Sequence, residues 1–165
     1  MASMCVEINT TRAIAAQILR HRSFSFQEFS QRYANVNSDL QYTEPRGFDL
    51  RSQDYKNRQN SIDDIPAEKQ VELLSKVKEA EAHCIAVYND LISEGVAKEC
   101  ARFILPLSTP TRLYMSGTIR SWIHYLNLRS ANGTQKEHAD IAHAIIEEIF
   151  KPEFPVLYEV CGFSD

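Results

Sequence analysis

The 165 residues carry a formal net charge of −4, with 44% hydrophobic and 24% charged residues. That length suits one domain (1–165) with a real core, and the mild acidity argues against a protein whose main partner is nucleic acid. Cys5, Cys84, Cys100 and Cys161 are scattered without a C-x-x-C pair, no leader pattern is visible, and no apolar run nears the roughly 20 residues that span a bilayer. The expectation is a reduced, cytoplasmic protein with no membrane partner.

Met4, Val6 and Ile8 alternate with Cys5 and Glu7, which predicts a strand with one buried face. Asn9, Thr10 and Thr11 offer caps for a helix Arg12–Arg20, on which Ile14 and Ile18 stand one turn apart. From Ser23 the period changes to two, so the chain is expected to run extended to Ala34. Glu28, Ser30 and Arg32 would then face one side, and Phe29, Gln31 and Tyr33 the other. Asn35–Ile65, with Pro45-Arg46-Gly47, has the least pattern, and loops of that length are usually functional or mobile.

Asp63 or Asp64 can cap a long helix with Pro66 in its first turn and Gly95 at its end. Its apolar stripe, Val71, Leu74, Val77, Cys84, Ile85, Tyr88 and Leu91, reads as scaffold. Ala97–Leu105 is a short helix stopped by Pro106, Thr111–Ser116 a strand, and Gly117 a hinge. Thr118 can cap a helix Ile119–Leu128, where Arg120 and His124 share a face at i and i+4. An Asn132-Gly133 turn follows, then an amphipathic helix His138–Phe150 broken by Pro152 and Pro155. The sum is an α/β (α+β) domain: helices flanking a central mixed or antiparallel sheet.

Gln17–Tyr33 stands out. It holds three arginines against one glutamate where a helix meets a strand, gathering donors around one small volume. A site for a small anionic ligand and a solvated basic turn beside an aromatic strand are both compatible with the pattern. Other chemistries fit poorly. His138, Asp140 and His143 lack the spacing of a helical metal site, so no metal is expected. Cys100 has no local histidine to activate it, and no G-x-S-x-G is present. Five glycines and no G-x-G-x-x-G leave phosphates to arginine side chains, whose planar forks suit them. Arg20, Arg22, Arg32, Arg102 and Arg129 are the candidates.

Arg20–Tyr33, R-H-R-S-F-S-F-Q-E-F-S-Q-R-Y, resembles the signature of flavin-dependent thymidylate synthases, R-H-R-x-x-S-x-N-E-x-S-x-R-Y. Ala101–Arg129 resembles that family's C-terminal block, and the likeness runs from about Met4 to Phe150. The resemblance implies a homotetramer with FAD at subunit interfaces. It would methylate dUMP to dTMP with 5,10-methylenetetrahydrofolate as carbon donor and NADPH as reductant, without a catalytic cysteine. It further implies that Gln17, Arg20, Glu28, Ser30, Arg32, Arg102 and Arg129 contact dUMP, with Arg129 activating the uracil ring. FAD would meet Arg20, His21, Arg22, Glu28, Thr118, Arg120 and His124.

Three departures accompany the likeness. Gln27 stands for the motif's usual Asn, Thr118 replaces an Asn of the second block, and the chain is expected to lack the family's usual N-terminal segment. The alternative expectation is a truncated, non-catalytic nucleotide-binding remnant or a partner subunit.

Overall fold

The computed structural model describes residues 2–32 and 49–163. Tyr33, Ala34 and Pro45-Arg46-Gly47 lie outside them. β1 (Ser3–Thr11) leads into α1 (Arg12–Ile18), and β2 (Ser25–Glu28) follows. A short hairpin, β3 (Ser52–Gln53) and β4 (Ser61–Ile62), precedes α2 (Ala67–Ser93) and α3 (Lys98–Ala101), which runs into a 3-10 turn, Arg102–Ile104. β5 (Pro110–Thr118), α4 (Ile119–Ser130) and α5 (Lys136–Ile145) complete the core. α5 continues through a π-helical turn, Ile146–Phe150, into α6 (Lys151–Glu153) and α7 (Pro155–Val160).

The main sheet is antiparallel in the order β1-β5-β2, so its central strand comes from late in the sequence. The strand alternation seen in the sequence is kept. Val6, Ile8, Leu113 and Met115 face inward onto Ile14 and Ile18 of α1 and Trp122, Tyr125 and Leu126 of α4. Burial of such side chains is the main driving force, at about 1.5–3 kcal/mol each. The Trp122 Nε1–H donates to the Met4 carbonyl at 3.1 Å, satisfying its one polar group. The other face carries Glu7, Asn9, Arg112 and Tyr114. There the Tyr114 hydroxyl donates to Glu7 at 2.7 Å and Arg112 Nε donates to Asn9 at 3.0 Å.

Local signals held where local chemistry suffices. Thr118 caps α4, its Oγ1 accepting from the Ser121 N–H at 3.2 Å. Gly95 adopts φ 83° just beyond α2, and the Val96 N–H donates back to the Leu91 carbonyl, closing the helix as a left-handed glycine cap does.

Several expectations are corrected. The extended run ends early: β2 stops at Glu28, and Gln31 and Arg32 form a turn, so the face expected for Glu28, Ser30 and Arg32 does not persist. α1 ends at Ile18 rather than Arg20. Pro66 occupies the N-cap position of α2 itself, with no side-chain cap from Asp63 or Asp64. Gly117 is not a hinge. It lies inside β5, where an added Cβ would come within 2.5 Å of the Phe24 ring, so close packing is what requires glycine. Pro152 does not break the last helix. The π-helical turn absorbs a residue that has no N–H to give, and the break falls at Phe154 (φ −133°), the residue that Pro155 restricts. Among the described residues the α2 stripe is only partly covered: of its residues only Tyr88 is buried, and Val71 is 70% exposed. Among the described residues no helix is long and apolar enough to cross a membrane.

Candidate active site

The residues expected to contact dUMP fall into two groups towards opposite ends of α1, whose seven residues span roughly 10 Å. At its C-terminal end the chain passes Gln17, Arg20 and His21 before turning into β2. Burial of Ile18 fixes this turn against α4, which brings Arg129 to His21. The Arg129 Nε–H donates to His21 Nε2 at 2.9 Å. His21 therefore accepts as a neutral ring. Burial, with Arg129 and then His124 nearby, pushes its pKa down to about 4. Its ring meets Tyr125 edge-on, centroids 4.8 Å apart.

Behind this layer lies His138, fully buried on α5. Its Nε2 is 3.0 Å from the Tyr125 hydroxyl and its Nδ1 is 3.3 Å from Gln17 Oε1. Burial first, then Arg129 and His21, lowers its pKa to about 4. Burial likewise raises that of the Tyr125 hydroxyl, so both groups stay neutral at physiological pH. Gln17 Nε2 donates to Gln135 Oε1 at 2.6 Å, and Gln135 Nε2 donates to Glu137 Oε2 at 2.9 Å. Glu137 also accepts from Arg51 Nη2 at 2.7 Å. Burial works to raise the Glu137 pKa, but the bonds from Arg51, its own backbone N–H and Gln135 outweigh it and hold the carboxyl below its usual range.

At the other end of α1, Glu28 accepts from Arg12 and, at 3.0 Å, from the Thr111 hydroxyl. Arg32 donates Nε and Nη2 to Glu99 at 3.2 and 2.9 Å, with both side chains about half exposed. Arg102, one turn beyond Glu99, has its guanidinium 5.9 Å from the Phe103 ring centroid. Ser30 is exposed. Gln31 beside it is 4% exposed, and its Nε2 has no hydrogen-bond partner among the described residues.

The residues expected around a flavin make a third set. Arg20 and Arg22 flank His21, and Arg120 and His124 stand one turn apart on α4; all four are exposed, and none is ion-paired with another described residue. His124 is near enough to His21 to influence its titration, which brings the two elements together. Thr118 spends its hydroxyl on the α4 cap. One chain therefore unites Gln17, His21 and Arg129 but leaves Glu28, Arg32 and Arg102 apart from them.

Sequence reasoning did not assign Arg12, Arg51, Thr111, Tyr125, Gln135, Glu137 or His138 to a site. His138 alone carried a signal, as a histidine on the inward face of an amphipathic helix. A groove of about 500 Å³ lies on the far side of Gln135, lined by Arg51, Arg58, Ser61 and Lys136 among others. It includes none of the expected site residues.

Residues 1–156 match the family model described as thymidylate synthase complementing protein. The chain is 55% identical over 154 residues to a probable flavin-dependent thymidylate synthase of Paramecium bursaria Chlorella virus 1, covering 93% of this chain and 68% of that one. It is 50% identical over 160 residues to a flavin-dependent thymidylate synthase of Synechocystis sp. (strain ATCC 27184 / PCC 6803 / Kazusa), covering 95% and 70%. Its fold is similar to that of the UMP/dUMP methylase PolB from Streptomyces cacaoi, solved with 5-Br dUMP bound. The TM-score is 0.80 at 22% identity, over 98% of this chain and 70% of that one. With the Arg20–Tyr33 signature, these similarities place the chain in the family of flavin-dependent thymidylate synthases.

Proposed function

We propose that this chain methylates dUMP to dTMP, taking the carbon from 5,10-methylenetetrahydrofolate and the reducing electrons from NADPH through FAD. Family membership supplies the reaction class, and the anchoring of Arg129 on His21 carries the reading on this chain's own residues. A guanidinium tethered through Nε keeps its two terminal nitrogens for a ligand. A fixed cation at a pyrimidine edge favours the ring's anionic form and polarises its C5–C6 bond. Because His21 accepts through a lone pair, Arg129 meets no competing charge on that side. Gln17 offers amide groups to the nucleotide from the same turn, and Arg20 follows at its end, its backbone N–H donating to the Gln17 carbonyl.

Bound FAD supplies the hydride chemistry that no side chain here can perform. Its diphosphate suits the exposed cations Arg20, Arg22 and Arg120, which have no carboxylate to satisfy them among the described residues, and His124 stands beside Arg120 as a further polar group.

The separation of Glu28, Ser30, Arg32 and Arg102 from Arg129 supports a homotetramer whose sites are completed across subunits. The partly covered α2 stripe, with Phe103 84% and Leu107 70% exposed, supports the same reading, as does the buried Gln31 donor that finds no acceptor among the described residues. A reducing cytoplasmic setting agrees with four free cysteines.

The test is tritium release from C5-labelled dUMP with FAD, NADPH and methylenetetrahydrofolate supplied. Release that requires FAD is expected. Nucleotide binding without release would overturn the enzyme reading in favour of a non-catalytic nucleotide-binding subunit.

A further inference from the structure

We propose that the Arg51–Glu137 ion pair and His138 are positioning residues that set the direction in which Gln17 presents its amide to the nucleotide. The inference rests on the reading of Gln17 as a nucleotide contact.

The argument begins at the one group in the series whose role is fixed. A carboxylate only accepts. Glu137 takes Arg51 on one oxygen and Gln135 Nε2 on the other, so Gln135 is committed to showing its carbonyl on the opposite side. That carbonyl lies 2.6 Å from Gln17 Nε2, a separation only a donor and an acceptor tolerate. Gln17 must then show Oε1 to His138. The His138 ring carries its proton on Nδ1, leaving an Nε2 lone pair that receives the Tyr125 hydroxyl. One ionised carboxylate thereby determines two amide orientations, one imidazole tautomer and one hydroxyl rotor. Reversing any link would set carbonyl against carboxylate or lone pair against lone pair.

Packing holds the series in place. His138 and Tyr125 are fully buried, and His21 lies edge-on to both rings, at 4.8 Å from Tyr125 and 6.2 Å from His138. The same wall of rings carries Arg129 on His21, so the orientation of Gln17 and that of Arg129 are set against one surface. Gln135 is the exposed link, and the influence of Glu137 on Gln17 passes through it. The expected effects are accordingly graded, with substitutions at His138 larger than those at Glu137.

Nitrogen-15 NMR of the histidine side chains, combined with steady-state kinetics, tests this on the full-length, FAD-loaded protein. Wild type should show His138 as the Nδ1–H tautomer. Glu137→Gln keeps the shape but permits the amides to flip, and should give mixed tautomers with the KM for dUMP raised about fivefold and kcat nearly unchanged, the scale of one net hydrogen bond. His138→Leu removes the hydrogen bonds to both Gln17 and Tyr125 and should raise KM about tenfold. His138→Asn returns a donor near the Nδ1 position and should recover part of that loss. Equal KM values for folded Leu and Asn variants would overturn the role of His138 as donor to Gln17. Gln17→Ala separates the two claims. If it raises KM while Glu137→Gln alters neither KM nor tautomer, the positioning proposal is wrong. If it leaves KM unchanged while the tautomer responds to Glu137→Gln, the nucleotide role of Gln17 is wrong.

Discussion

The two ends of α1 hold their polar groups by different means. At the C-terminal end Gln17, His21, Tyr125 and His138 are neutral, mostly buried, and joined by hydrogen bonds whose sense is determined. At the N-terminal end Glu28 and Arg32 are charged, partly exposed, and satisfied by Arg12 and Glu99. The first end is organised before any ligand arrives, and low dielectric rewards that order. The second must give up or share existing partners to receive a phosphate, which suits groups that are completed by a second subunit. Under the proposed function the organised end would supply activation and orientation, and the charged end counter-charge that is engaged with Arg12 and Glu99 in this chain.

The strongest way to break this contrast is Arg129→Lys. Lysine keeps the charge but loses both the Nε link to His21 and the planar fork. Thymidylate formation should fall by about 100-fold or more, while FAD affinity changes by less than about twofold, as read by tritium release and flavin titration. Equal loss of both, or of neither, would remove Arg129 from the activating role.

Gly117→Ala probes the packing beneath the organised end. The new Cβ would overlap the Phe24 ring, so a loss of about 1–3 kcal/mol is expected, read by denaturant unfolding. A variant of wild-type stability would show that Phe24 moves freely and that the wall of rings is less rigid than drawn.

Acid should separate the two ends. His21 and His138 have pKa values lowered to about 4, against 6.5 for an ordinary histidine. Between those values the unfolded chain binds more protons than the folded one, so stability rises with pH. The contribution is complete above pH 6.5 and is lost as pH falls toward 4. Melting temperatures measured from pH 7 to 5 should therefore drop, and His138→Leu should flatten the slope. The pairs at the other end contain no histidine and should not respond in this window. An unchanged slope in the variant would mean that His138 is not held neutral by the fold.

Glu99→Gln should have the smallest effect. It removes a half-exposed partner of Arg32, and such pairs contribute little to stability, so no measurable change in melting temperature is expected. A rise in the affinity for dUMP would sharpen the comparison by showing that Arg32 is freed for the nucleotide. A marked loss of stability would instead make the pair structural.

What the sequence determined by itself was what neighbouring residues decide. Alternation set the buried faces of β1 and β5, the Thr118 hydroxyl capped α4, Gly95 closed α2, and the R-H-R signature with its second block identified the family. Alternation failed across Glu28–Arg32 because a turn that buries Gln31 overrides it. The tertiary structure decided the rest, because the deciding partners are far apart in the chain. Arg129 reaches His21 across 108 positions, His138 reaches Gln17 across 121, and β5 enters between β1 and β2 from the far half of the sequence. The direction of hydrogen bonding from Glu137 to Tyr125 belongs wholly to that level. No single residue encodes it; it exists only when α1, α4 and α5 bring an obligate acceptor, two amides, a neutral ring and a hydroxyl into one line.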